Sequence, residues 1–240
     1  MRAEVLKVTT VRGLWLGALL ATLALPLTSL VVAATGGLGD DDTITSGAAT
    51  GSVVGLLAFG AWAATLAAGE YALQTIVVSM AAVPHRPTLY LAKVAATAAV
   101  TAAGALVSVV AAWSIVLAVT PGSEHDNGNP AALLGVVLAV VAVSVMATAV
   151  GLLTRSPTAS ITIVVLAVLL PKAAGGLLGG LERWVVGASP GTVVTQIVGG
   201  GQLAESETYP GGTAAAAITM LLVATAVAVA GAVTFARRDA

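Results

Sequence analysis

The sequence has no cysteine, and this absence excludes disulfide bonds and thiolate metal sites. Charged residues are scarce as well, at 9% of the 240 residues, whereas a soluble domain carries about a quarter. Hydrophobic residues make up 58% of the chain. The composition therefore predicts an integral, all-α membrane protein, since helices satisfy their own backbone hydrogen bonds in lipid.

Several kinds of functional motif are also missing. The three lysines follow Leu6, Ala92 and Pro171, so the chain has no G-x-x-x-x-G-K-[ST] loop for nucleotide phosphates. The two histidines, His85 and His125, fall on opposite sides of the predicted membrane topology and cannot share one metal. No serine lies in a nucleophile elbow. We expect no catalytic, cofactor or metal site, and hence no enzyme in this chain.

Six apolar runs can cross a bilayer, whose hydrocarbon core takes about 20 helical residues. The first is longer than the apolar core of a secretory signal peptide, which predicts a retained span. The fifth meets Pro171 and Lys172 early, so it must either continue to about residue 178 or stop partway. The predicted spans cover about residues 13–34, 47–68, 94–119, 131–153, 158–178 and 213–235.

Ionisable residues lie in the loops, the tails or the span boundaries. A proton- or sodium-coupled carrier needs ionisable groups at mid-membrane. The predicted spans have none there, which counts against secondary transport and against an ion-selective pore. The spans offer only weakly polar groups, which predicts an apolar or amphipathic substrate for any transport. They are Thr50, Ser52, Thr97, Thr101, Ser108, Ser144 and Thr148.

The distribution of basic residues predicts the orientation. With a cytoplasmic N-terminus, only Lys172 and Arg183 are outside, and the positive-inside rule favours this arrangement. We expect a multi-pass protein of the cell membrane with both termini in the cytoplasm. The basic residues predicted inside are Arg2, Lys7, Arg12, Arg86, Lys93, Arg155, Arg237 and Arg238.

The connection from Gly69 to Lys93 is the longest one predicted on the cytoplasmic side. Its Leu73, Ile76, Val77 and Met80 recur at i, i+3, i+4 and i+7, which indicates a helix with one apolar face. Pro84 and Pro87 are expected to end that helix. A helix of this kind lies on a surface, either the lipid headgroups or a partner protein.

The connection from Lys172 to Gly212 is the longest one predicted outside. Apolar clusters around Trp184 and after Pro190 are compatible with two short helices that dip into the outer leaflet, or with an amphipathic surface loop. Separately, Gly47, Gly51 and Gly55 repeat at four-residue spacing, which favours close packing against another helix.

The chain resembles the membrane subunits of type 2 ATP-binding-cassette exporters, in their short actinobacterial-like form. The resemblance lies in the order and spacing of motifs over the whole chain. They are Glu4-x-x-Lys7-x-x-Thr10-x-Arg12, Trp15 in the first span, Gly69-Glu70-Tyr71, Thr75-Ile76, Pro84-His85-Arg86 and Lys93. Ala72, Val77 and Val78 stand where many members carry basic residues, so the contacting face of the helix is expected to be apolar.

The resemblance implies a cytoplasmic ATP-binding-cassette ATPase on a separate chain and a second permease subunit, either identical or related. It implies that Glu70 ties the second span to neighbouring helices, the alternative being a solvated carboxylate at a span end. The residues implied to couple the permease to the ATPase are Glu70, Tyr71, Thr75, Ile76, Ser79, Met80, Pro84, His85 and Arg86.

The expected function is therefore export of an apolar or amphipathic substrate, powered by the partner ATPase. An alternative from another class is a non-transporting scaffold or immunity protein that binds a peptide or lipid at its outer loops.

Overall fold

The computed structural model describes residues 11–77, 81, 85–120, 125–200 and 203–237, among which no residue is in a β-strand. Short 3-10 turns cover Pro130–Ala132, Gly175–Leu177, Gly179–Leu181 and Glu205–Glu207. The α-helices are α1 (Arg12–Ala34), α2 (Ile44–Ala49), α3 (Ser52–Ala72), α4 (Arg86–Val119), α5 (Leu133–Thr154), α6 (Pro157–Ala173), α7 (Glu182–Val185), α8 (Pro190–Val198) and α9 (Gly212–Arg237).

Five helical segments in the described residues are long and apolar enough to cross a membrane. They are Arg12–Ala34, Ile44–Ala72, Arg86–Val119, Pro130–Thr154 and Gly212–Arg237. Each contains one of the spans that hydropathy predicts, so the all-helical, multi-pass character is confirmed.

Of the two alternatives for the fifth predicted span, the helix stops partway: α6 has 17 residues and ends at Ala173, before residue 178. Pro171 does not end it, because the helix runs two residues further. The glycines that follow are the physical reason: Gly175 and Gly176 favour no helix, and Gly179 has a φ of +53°. The chain passes into two 3-10 turns instead.

The helix α5 is the centre of the bundle and packs against α3, α4, α6 and α9. In α3 and α5 most residues of the apolar stretch are buried, whereas less than a third of the apolar stretch is buried in α1, α4 and α9. The core is therefore a central pair of helices surrounded by helices that face outward.

Small residues let the central helices approach closely. A Cβ on Gly60 of α3 would meet side chains of Val143 and Val164, and a Cβ on Gly151 of α5 would meet Ala67. Hydrogen bonds add to this packing between helices. Trp62 Nε1 donates to Leu14 O at 2.8 Å.

The second predicted span is split into α2 and α3 at Thr50 and Gly51. The break lies against α1, where a Cβ on Gly51 would overlap the Thr28 hydroxyl and come 3.1 Å from Leu25 O. The close approach predicted for the glycine repeat is thus confirmed at Gly51, and its partner is a helix of the same chain. A capping box between Thr43 and Ser46 begins α2.

The helix α8 packs among α2, α3, α5 and α9 at the end of the bundle opposite Glu70. Its Val193 and Val194 are buried, and Gly199 ends it in the left-handed conformation. Before it, the Trp184 ring packs edge-on against Tyr209, with the ring centroids 5.3 Å apart. The helix α8 is therefore packed into the protein, whereas Leu177 and Leu181, which precede it, are 90% and 63% exposed.

Candidate functional site at the Glu70 end of the bundle

A buried ion pair joins α3 and α4 where the two helices leave the bundle. Glu70 and Lys93 are only 3% and 4% exposed, and Lys93 Nζ donates to Glu70 Oε1 at 2.5 Å. Glu70 is the third residue from the end of α3, and Lys93 lies two turns into α4. The interpretation of Glu70 as a solvated carboxylate is wrong, because the carboxylate is held inside the protein.

A second contact joins the ends of α3 and α5. The Arg155 guanidinium lies over the Tyr71 ring, 5.2 Å from its centroid, a distance typical of a cation–π interaction. Arg155 ends α5 in the left-handed conformation, with a φ of +57°. A residue with a Cβ is strained in this conformation, and the contact with Tyr71 joins the end of α5 to the end of α3.

A small apolar cluster closes this end of the bundle between α4 and α9. The Tyr90 hydroxyl donates to Ala228 O at 2.6 Å, and its ring packs against Phe235 with centroids 5.9 Å apart. Leu89 and Leu152 are buried in the same cluster. Four helices are therefore tied together around Glu70, Lys93, Tyr90 and Arg155.

The chain turns sharply directly after α3. Leu73, Gln74 and Thr75 form a turn, with Gln74 at a φ of +56°, and the backbone is helical again at Ile76 and Val77. Within this turn Thr75 N donates to Glu70 O at 2.9 Å.

The prediction of one continuous helix is wrong at Leu73, because Leu73 is the first residue of the turn and the backbone is helical again only at Ile76. Ile76 is buried in the protein, whereas Leu73 and Val77 are exposed. Among the described residues of the 73–85 connection, Leu73 and Val77 are thus exposed apolar side chains.

The remaining residues of the predicted coupling set are three that the structure describes and three that lie outside the described residues. His85 begins α4 as its N-cap, and its Nδ1 lies 2.8 Å from the Thr88 hydroxyl, while Arg86 is the first residue of α4. Thr75 is exposed in the turn. Ser79, Met80 and Pro84 lie outside the described residues.

Sequence reasoning did not identify Lys93 as the partner of Glu70 or Arg155 as the partner of Tyr71. A signal for the first pair is present, since one acid and one base flank the same connection at the ends of two apolar runs. The second pair leaves no such signal, because Arg155 lies 84 residues after Tyr71 and reaches it only through the packing of α5 on α3.

The weakly polar residues predicted inside the spans are mostly engaged with backbone. Thr101 donates to Thr97 O, Thr148 donates to Ser144 O, and Ser108 donates to Thr22 O of α1. Of these three bonds, that of Ser108 links two helices, whereas those of Thr101 and Thr148 lie within their own helices; the buried Ser144 hydroxyl has no hydrogen-bond partner among the described residues.

The long apolar helices define a multi-pass membrane protein, and the buried Glu70–Lys93 pair joins two of its spans at one end of the bundle. A scan against models of known protein families finds no match, and a search of curated proteins finds no relative.

Proposed function

We propose that this chain is the permease subunit of an ATP-driven exporter of the type 2 ATP-binding-cassette class. The observation that carries the proposal is the buried Glu70–Lys93 pair. It bridges the two spans that the 73–85 connection joins, so a push on this connection moves α3 and α4 as one unit.

The exposed side chains beside this pair support the proposal. Leu73 and Val77 are apolar and exposed next to the buried pair. Exposed apolar side chains of this kind are more stable against the surface of a partner ATPase than in water. In this proposal the Glu70 end faces the cytoplasm, where the ATPase supplies the nucleotide site that the sequence of this chain lacks.

The finer topology belongs to the same proposal. The helix α6 completes a sixth span, α8 lies partly within the outer leaflet, and both termini are cytoplasmic. Two permease subunits enclose the pathway in the cell membrane. The substrate is apolar or amphipathic, because the spans carry few polar groups and the hydroxyls of Thr101, Ser108 and Thr148 are already bonded to backbone.

The experiment is affinity capture of the permease from its native membranes, followed by identification of co-purifying chains and an ATPase assay. We expect an ATP-binding-cassette ATPase in the capture and no ATP hydrolysis by the permease alone. Repeated capture without such an ATPase contradicts the proposal.

Two variants locate the contact. Leu73→Asp combined with Val77→Asp places charges in an apolar contact, so recovery of the ATPase is expected to fall at least about tenfold. Leu177→Asp is the control, since Leu177 is also an exposed apolar residue, at the opposite end of the bundle. If as much ATPase co-purifies with the Leu73/Val77 variant as with the parent protein, the ATPase does not transmit force through this connection.

The alternative is a non-transporting scaffold or immunity protein, and one observation favours it. A cavity of about 270 Å³ lies at the end opposite Glu70, lined by Asp42, Ser46, Thr50 and Thr195 among others. A cavity with these polar groups suits a bound peptide or headgroup. Transport assays in proteoliposomes with the ATPase separate the two functions: ATP turnover without movement of any substrate favours the scaffold.

A further inference from the structure

A cavity of about 370 Å³ lies between α6 and α9, with α5 as its back wall. Both helices pack on α5, but they have little contact with each other. The segment of Trp184 to Pro190 closes the cavity at the end opposite Glu70. The cavity is therefore a cleft that runs along α6 and α9 and opens between these two outer helices.

The lining of this cleft is almost entirely apolar. Its two hydroxyl-bearing residues are already engaged: Ser189 pairs with Thr192 at 3.0 Å, and Thr219 donates to Ala215 O at 2.8 Å. A buried water needs two to four polar partners. The cleft therefore offers no arrangement that holds water.

The dimensions of the cleft fit a hydrocarbon chain. A chemical group the size of a water molecule occupies about 30 Å³, so the cleft has room for roughly a dozen such groups. On α6 its wall runs from Ile163 to Pro171, which is about 12 Å at 1.5 Å per residue. This depth is close to one leaflet of a hydrocarbon core about 30 Å thick.

We propose that this cleft binds one acyl chain of a bilayer lipid. In a membrane the surroundings of α6 and α9 are hydrocarbon, and an empty apolar cleft open to them loses dispersion contacts on every wall. A chain entering sideways restores those contacts and displaces no ordered water. Trp184 and Val185, which close the cleft at the end opposite Glu70, then separate the acyl chain from the aqueous side.

This inference is independent of the export proposal, because it concerns the permease alone. The test uses purified permease reconstituted in phosphatidylcholine vesicles that contain a phosphatidylcholine with a photoreactive diazirine on one acyl chain. After illumination, labelled peptides are mapped by mass spectrometry. Met220 is the reporter, since it lines the cleft but is only 3% exposed. Leu20, exposed on α1, is the reference for ordinary contact with lipid.

We expect label on Met220 itself, located by fragment ions because the neighbouring Ile218 and Leu222 are exposed to bulk lipid, as well as on Leu20. Val223→Trp fills the cleft and should lower the Met220 label at least about fivefold. Val229→Trp is the matched control, because both valines lie on α9, exposed to 50% and 56%, and only Val223 lines the cleft.

If Val223→Trp does not insert, Ala167→Phe on the α6 wall fills the same space. The proposal is overturned if Leu20 is labelled and Met220 is not. It is also overturned if the filling variant and Val229→Trp lower the Met220 label equally.

Discussion

The Glu70–Lys93 pair predicts a characteristic pattern of stabilities when its members are removed singly and together. At 2.5 Å, two unit charges attract by about 7 kcal/mol at an effective dielectric constant of about 20. Each ion has lost several kcal/mol of hydration in reaching a site where it is 3–4% exposed. The net contribution of the intact pair is therefore small, although each partner depends on the other.

Removing one partner leaves the other charge buried without it. Glu70→Ala and Lys93→Ala are each expected to lower the free energy of unfolding by about 3–5 kcal/mol. The double variant Glu70→Leu/Lys93→Met removes both charges and keeps the volume, so it should lie within about 1 kcal/mol of the parent protein or above it.

The assay is reversible denaturation by sodium dodecyl sulfate in mixed micelles, followed by circular dichroism. A surface ion pair provides a control: Lys172 Nζ lies 3.3 Å from Glu207 Oε1, and Glu207→Ala should cost no more than about 1 kcal/mol. The reasoning is refuted if the single changes at Glu70 and Lys93 cost as little as this control. It is also refuted if the double variant loses as much as both singles added together.

Two further predictions concern the backbone and use the same denaturation assay. Gly51→Ala should destabilise by about 1–3 kcal/mol, because its Cβ overlaps Thr28; the control Gly69→Ala, with open space at its Cβ, should be neutral or stabilising by up to about 1 kcal/mol. Equal effects at the two glycines would contradict the close packing of α1 on the α2–α3 break. Gln74→Gly should stabilise by up to about 1 kcal/mol, since it relieves the left-handed strain at a φ of +56°, whereas Gln74→Val should destabilise. A stabilising Gln74→Val would show that the turn after α3 has another conformation.

The positions of the long helices follow from the sequence because a bilayer demands about 20 apolar residues in a row. The first, third, fourth and last apolar runs therefore predict their helices well. The helix α4 begins eight residues before the predicted span, at Arg86, because hydropathy does not register a helix that continues beyond the apolar run.

The breaks within helices are harder to predict from residues alone. Gly51 suggests close packing of helices, but whether a helix continues through it or stops depends on how Thr28 of α1 packs against it. The left-handed residues Gln74 and Arg155 carry no mark in the sequence, because neither is glycine. The pairing of Glu70 with Lys93 likewise depends on which faces of α3 and α4 meet, and that is decided by tertiary packing.

The unequal lengths of α4 and α6 have a consequence for the bilayer around the protein. At 1.5 Å per residue, the 34 residues of α4 extend about 51 Å and the 17 residues of α6 about 26 Å. The first exceeds a hydrocarbon core of about 30 Å and the second falls short of it. A helix that is too long tilts or protrudes, whereas one that is too short thins the lipid beside it. On the proposed topology, in which α6 is the sixth span, the membrane is therefore expected to be thinnest beside α6.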